Sequence, residues 1–206
     1  MFPRAAFYFV FDVESVGLHG EPFAVGFTVR SGVDGEEVYA ERIVLPFNPD
    51  HLQLHNGRVP TRADIAWVKE HVVPATSDHI NELTPTGMLR KFWLEWKRWE
   101  SHGAVMAADV PWPVEARFLM ECACWAFNVN GKPTIQEGPY PILDIATLRF
   151  AAGFDPVATE SRNGVAERPV HDPLADARQS ARLMFEAFEL LEKNADRAWR
   201  YEDLNK

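Results

Sequence analysis

The sequence predicts a mixed α/β fold: a central sheet led by a three-strand N-terminal meander and flanked by helices. Three observations carry this. Three β-rich runs come first, at 7–13, 23–30 and 37–45. Helical periods then alternate with short apolar strands. The chain has 206 residues, 47% apolar and 25% charged, which suits one sizeable globular core.

Residues 7–13 (FYFVFDV) are almost continuously apolar and rich in Phe, Tyr and Val, as a strand covered on both faces is. The turn Ser31-Gly32-Val33-Asp34-Gly35 joins the next two strands as a hairpin. Over 63–73, apolar residues at Ile65, Ala66, Val68 and Val72 give a helix that stops at Pro74. Thr84 caps a second helix, with Pro85 at its first position, that runs to about Glu100. Met88, Leu89, Phe92, Trp93, Trp96 and Trp99 lie along it at helical spacing. Three tryptophans could stack bases, but this spacing is that of a core stripe.

Residues 105–108 form a short strand ending at Asp109, and after Pro111-Trp112-Pro113 a helix covers 114–127. Residues 140–144 lead into a helix at 145–152, closed by Gly153. The polar stretch 159–168 reads as a mobile loop. The last helix starts near Pro173 and buries Leu174, Ala177, Ala181, Met184, Phe185, Phe188 and Leu191.

Charge and composition narrow the function. A net charge of −9 argues against a protein that coats long nucleic acid through its phosphates. It leaves room for an enzyme that grips a few nucleotides in one cleft, above all where metal cations supply positive charge. The apolar run 5–11 is too short to span a bilayer and lacks a signal-peptide cleavage site, so no membrane partner and a cytoplasmic location are expected. Cys122 and Cys124 cannot build a disulfide framework and read as small buried hydrophobes in a reducing compartment.

Two short segments carry chemistry. Asp12 and Glu14, at i and i+2 near the end of the first strand, point to the same face. Two like charges side by side suit a hard divalent cation between them. A strand simply leaving the core for solvent would look the same. Far along the chain, His171-Asp172-Pro173-Leu174-Ala175-Asp176 opens the last helix. Asp172 before Pro173 is an N-cap, which places His171 just outside the helix and Asp176 one turn inside. A histidine one turn from an inward carboxylate can act as general base beside a metal ligand. A surface histidine and a helix-dipole aspartate are the plain alternative.

Taken in order, these segments resemble the DEDDh subgroup of the DEDD 3′–5′ exonucleases. FDVESVGL resembles the first motif of that family, HDPLADARQSARLMF the third, and PYPILDIATL the Leu-Asp segment before a helix. WVKEHVVP is similar to a stretch of a mycobacterial-type exoribonuclease group. The second motif departs from the pattern. Asp109 stands where members carry Asn, Glu115 leads the following helix, and two extra residues lie around Trp112-Pro113. Either Asp109 or Glu115 fills the acidic role, or both do. Asp109 is favoured, because a strand-end aspartate has a short and rigid reach, and the plain alternative for Glu115 is a first-turn glutamate placed there by the helix dipole.

The resemblance implies an RNase H-like fold and a single exonuclease domain over 1–206, with a helical insertion at about 47–101. It implies two divalent cations, Mg²⁺ or Mn²⁺, held by Asp12, Glu14, Asp176 and Asp109 or Glu115, with His171 as the base that deprotonates water. The products would be nucleoside 5′-monophosphates from the 3′ ends of single-stranded RNA or DNA, and acidic charge favours RNA or short oligonucleotides. Val16, Gly17 and Leu18 would lie near the terminal nucleotide, with Leu18 wedged against a base. His19 would reach a phosphate or be a solvated loop residue. Arg178 and Arg182, or Arg90 and Lys97, would meet the backbone or simply face solvent. Several family members are dimers, so a homodimer is admitted. A catalytically weak nucleic-acid-binding relative and a phosphohydrolase of small nucleotides stay open as alternatives.

Overall fold

The computed structural model describes residues 5–18, 20–48, 60–127, 138–155 and 171–203, with side chains as far as 195. Strands β1 (Phe7–Ser15), β2 (Pro22–Ser31) and β3 (Glu37–Val44) form an antiparallel meander. Helices α1 (Arg62–His71), α2 (Val73–Thr76) and α3 (Pro85–Glu100) follow. Next come β4 (Ala104–Ala108), α4 (Val114–Phe127), β5 (Ile142–Asp144), α5 (Ile145–Ala151) and α6 (Pro173–Asp203). The sheet has the order β3-β2-β1-β4-β5, with β4 parallel to β1 and β5 parallel to β4.

The period of 2 in β1 sorts its side chains between two cores. Phe9, Phe11 and Val13 enter the larger one, with Phe27, Phe92, Trp96 and Phe118 of β2, α3 and α4. Phe9 stacks on Phe27 at 4.6 Å and receives the edges of Phe92 and Trp96, the offset and edge-on arrangements that aromatic quadrupoles favour. Tyr8 and Val10 enter the second core, with Ala107, Ile145, Ala181 and Met184 of β4, α5 and α6. The predicted double burial of β1 is thus observed. Its consequence is that Asp12 and Glu14, two and four places beyond Val10, fall on the α6 side.

Helix α3 begins as expected: the Thr84 hydroxyl accepts from the Gly87 N–H at 3.1 Å, and Pro85 stands in the first turn. Trp93 and Trp96 are buried in its stripe, as core residues. Two expectations need correction, and one element is new. Pro74 does not stop the chain's helical course but opens α2, because a first-turn proline lacks only an N–H that has no partner there. Residues 142–144 form a strand, too short to show a period in sequence and defined by its pairing with β4. Cys122 is buried but Cys124 is exposed, since residues two apart on a helix face different ways. The loop predicted at 159–168 lies outside the described residues. Among those described, no helix is long and apolar enough to cross a membrane.

Candidate active site

Close backbone approach brings the two distant acidic segments together. Gly26 of β2 is the register partner of Asp12, and a Cβ there would overlap the backbone of Pro173 and Leu174. Only a residue without a side chain lets α6 begin this close to the sheet. The start of α6 is fixed further by Asp172, which accepts from the Leu174 N–H at 3.0 Å and pairs with Arg42 of β3. Asp172 is therefore a structural cap, as its place before Pro173 predicts. His171 precedes the cap with φ 63°, a left-handed conformation uncommon outside glycine. Asp176 follows one turn into the helix. One donor atom from each of Glu14, His171 and Asp176 lies within 4.8 Å of the others, and His171 Nδ1 is 3.9 Å from Glu14 Oε1.

The second-motif acids arrive from the other side. Strand β4 runs beside β1 with Ala107 opposite Val10, so Asp109 emerges next to the end of β1. Glu115, in the first turn of α4, is 7% exposed, and its carboxylate accepts from the Val13 N–H and from its own. Both acids act on Asp12, Glu115 the more strongly of the two.

The electrostatics follow from this crowding. Burial holds the Asp12 carboxyl well above its usual range, and the charges of Glu14, Glu115, Asp176 and Asp109 push it the same way. Glu14 is pushed up to about 8, by burial and then by Asp176, Glu115 and Asp172. Glu115 is pushed up to about 7, mainly by burial, against the opposing pull of its two backbone hydrogen bonds. His171 is lowered, by burial and then by His71. Carboxylates packed this closely without neutralisation cost free energy. A set of oxygen donors with one imidazole at its edge fits a hard divalent cation, which would remove that cost.

Next to the acids, the loop after β1 has mixed exposure. Val16 is buried in the larger core, Gly17 has φ 64°, and Leu18 is 62% exposed. His19 lies outside the described residues. Arg178 makes a two-pronged contact with the Glu37 carboxylate, at 2.9 and 2.8 Å, and so ties α6 to β3. Lys97 pairs with Glu100 on its own helix. Trp67 and His71 of α1, absent from the sequence reading as site residues, stand against His171: the Trp67 and His171 ring centroids are 4.9 Å apart at 78°. Their i, i+4 spacing shows that they share a helix face, but no local signal shows what that face meets.

No family model and no curated protein sequence matches the chain. Solved structures do. The nuclease domain of 3′hExo, a DEDDh family member bound to rAMP, superposes with a TM-score of 0.56 at 13% identity, over 90% of this chain and 92% of that one. A full-length 3′-exonuclease gives 0.61 at 13% identity, over 93% of this chain and 62% of that one. E. coli Exonuclease I in complex with a dT13 oligonucleotide gives 0.57 at 12% identity, over 95% of this chain and 43% of that one. The fold is thus that of the DEDDh exonucleases, the RNase H-like fold expected from the sequence.

Proposed function

We propose that this protein is a metal-dependent 3′–5′ exonuclease. In this reading it releases nucleoside 5′-monophosphates from the 3′ end of single-stranded nucleic acid, with RNA or short oligonucleotides favoured over DNA. The observation that carries the reading is the convergence of Asp12, Glu14, Glu115, Asp176 and Asp109 beside His171, at the sheet end of an exonuclease fold. One domain does the work, and its helical segment at about 47–101 contributes α1 beside the site. The unpaired Cys122 and Cys124 fit a cytoplasmic enzyme.

Asp12, Glu14, Asp176 and Glu115 would hold the cations, Mg²⁺ or Mn²⁺, with Asp109 adding negative potential from the rim. Glu115 is preferred over Asp109 because it is the more buried and acts more strongly on Asp12. When bound, two such cations supply a low-pKa water and charge stabilisation of the phosphate and leaving oxygen. The chain's residues do the rest. His171, kept neutral by burial and by His71, has a free lone pair with which to take a proton from water. The 3.9 Å gap between His171 Nδ1 and Glu14 Oε1 leaves the base within reach of the acids without a tight ion pair. Leu18, exposed beside Gly17, would lie against the terminal base, as the family resemblance implies.

The test is cleavage of 5′-labelled single-stranded RNA and DNA with Mg²⁺, Mn²⁺ or EDTA, with Asp12→Asn as control. A metal-dependent ladder shortening from the 3′ end, absent in the variant, supports the reading and ranks the two sugars. Intact oligonucleotides under every condition would refute it, and attack on mononucleotides alone would make the protein a small-nucleotide phosphohydrolase.

A further inference from the structure

The helix α1 belongs to none of the acidic motifs, yet it touches the site twice. Its Asp64 side chain comes within 3.0 Å of the position a Cβ on Gly17 would take, so α1 abuts the loop after Glu14. Its Trp67 meets the His171 ring edge to face at 4.9 Å and 78°. Among the described residues, His171 has little else to orient it. It stands outside α6 in a left-handed conformation, its side chain is 34% exposed, and its Nδ1 is too far from Glu14 for a hydrogen bond.

Trp67, in contrast, is held on several sides. The neighbouring Val68 is fully buried, as is Val72 just past the helix end. A reciprocal capping box between Thr61 and Asp64 fixes the start of α1. His71 lies parallel to the indole at 4.9 Å and 14°, with its Nδ1 2.9 Å from the Trp67 carbonyl oxygen. The indole is nonetheless 44% exposed, so part of its surface is left over from packing.

We infer that Trp67, braced by His71, is a positioning residue that fixes the His171 imidazole for proton transfer. The inference rests on the exonuclease reading above, in which His171 is the general base. An aromatic edge contact favours one ring orientation over the others. That is enough to bias a half-exposed side chain among its rotamers.

Two measurements test it on the full chain. In metal-free protein, the His171 ring-proton resonances, assigned by loss in His171→Gln, should be displaced by the indole ring current. That displacement should vanish in Trp67→Ala. In steady-state cleavage with Mn²⁺, Trp67→Ala should lower kcat by about 3–10-fold with KM unchanged, the scale of losing one aromatic edge contact. Trp67→Phe, which keeps an aromatic edge, should recover most of the rate. An undisplaced His171 signal in the wild type, or unchanged kcat in Trp67→Ala, would overturn the role. A rise in KM alone would make Trp67 a substrate contact instead and would equally overturn it. A wild type inactive on all oligonucleotides would fail the exonuclease reading, and this role with it, whereas a failure confined to Trp67→Ala leaves that reading standing.

Discussion

The backbone of Leu174 occupies the space that a side chain at Gly26 would fill. Because Gly26 pairs with Asp12 across β1 and β2, this contact seats α6, and with it His171 and Asp176, over the first two acids. Gly26→Ala must push α6 away from the sheet. Expected is a loss of about 1–3 kcal/mol in stability, as for overpacking, with a larger proportional loss of activity than of folded protein. Urea unfolding beside cleavage rates at a temperature where the variant is folded would check it. Full activity in a folded Gly26→Ala would contradict the contact's importance.

How much of this was legible in the sequence depends on whether the deciding contact is local. The Thr84-Pro85 cap, the Trp93 and Trp96 stripe and the apolar run before Asp12 are patterns within one element, and the structure bears them out. Glu115 is different. A first-turn glutamate looks the same whether it meets solvent or the Val13 N–H, and only the packing of α4 against β1 decides. Trp67 and His71 were hidden for the same reason, since their partner His171 lies a hundred residues away in chain and was reached through β2. Strand β5, with three residues, is too short for a period of 2 to register.

His171→Ala should slow cleavage by ~10²–10⁴-fold, the usual scale for losing a general base. Mn²⁺ affinity should change much less, because the carboxylates remain. Calorimetric titration of Mn²⁺ beside single-turnover rates separates the two effects. Unchanged turnover would remove His171 from the mechanism.

The raised carboxyls make a pH prediction for the metal-free protein. Folded Glu14 and Glu115 keep their protons up to about 8 and about 7, whereas in the unfolded chain they lose them near 4.5. Between those values the folded state binds more protons, so stability falls as pH rises; Asp12, raised in the same direction, adds to the fall, and His171, lowered, opposes it only up to its unfolded value near 6.5. Glu37 is lowered by Arg178, and its contribution is lost only on acidification below its unfolded value, outside this window. Thermal melts in EDTA should therefore give a higher Tm near pH 5.5 than near pH 8.5, and Mn²⁺ should raise Tm more at the higher pH. Asp12→Asn should flatten the EDTA profile and raise its alkaline end. A Tm that climbs with pH in EDTA would refute the argument.

Arg42 tests the cap. Its partner Asp172 is 6% exposed and also faces Glu14, so removing the guanidinium leaves a buried carboxylate beside other acids. Arg42→Ala should cost about 3–5 kcal/mol, the range for breaking a buried pair. Arg42→Ala with Asp172→Asn, which removes the stranded charge and keeps a capping side chain, should recover part of it. Chemical denaturation of the two variants decides, and equal stability of both would mean that the charge is not what matters.

The choice between the two second-motif acids is settled by isosteric amides. Glu115 is buried, bonded to the Val13 N–H and the second-strongest charge on Asp12, after Glu14; Asp109 is half-exposed and weaker. Glutamine at 115 keeps the size and can still accept the Val13 N–H, so Glu115→Gln should fold normally while losing the negative charge. If Glu115 holds a cation, its cleavage rate should fall beyond the ~10–100-fold that losing an outer partner costs, and Asp109→Asn should stay within that range. Metal-free Tm at neutral pH should rise in Glu115→Gln, because one member of a like-charged cluster is gone. The reverse order of rates would transfer the ligand role to the strand-end aspartate, whose shorter reach would then outweigh the deeper seat of Glu115.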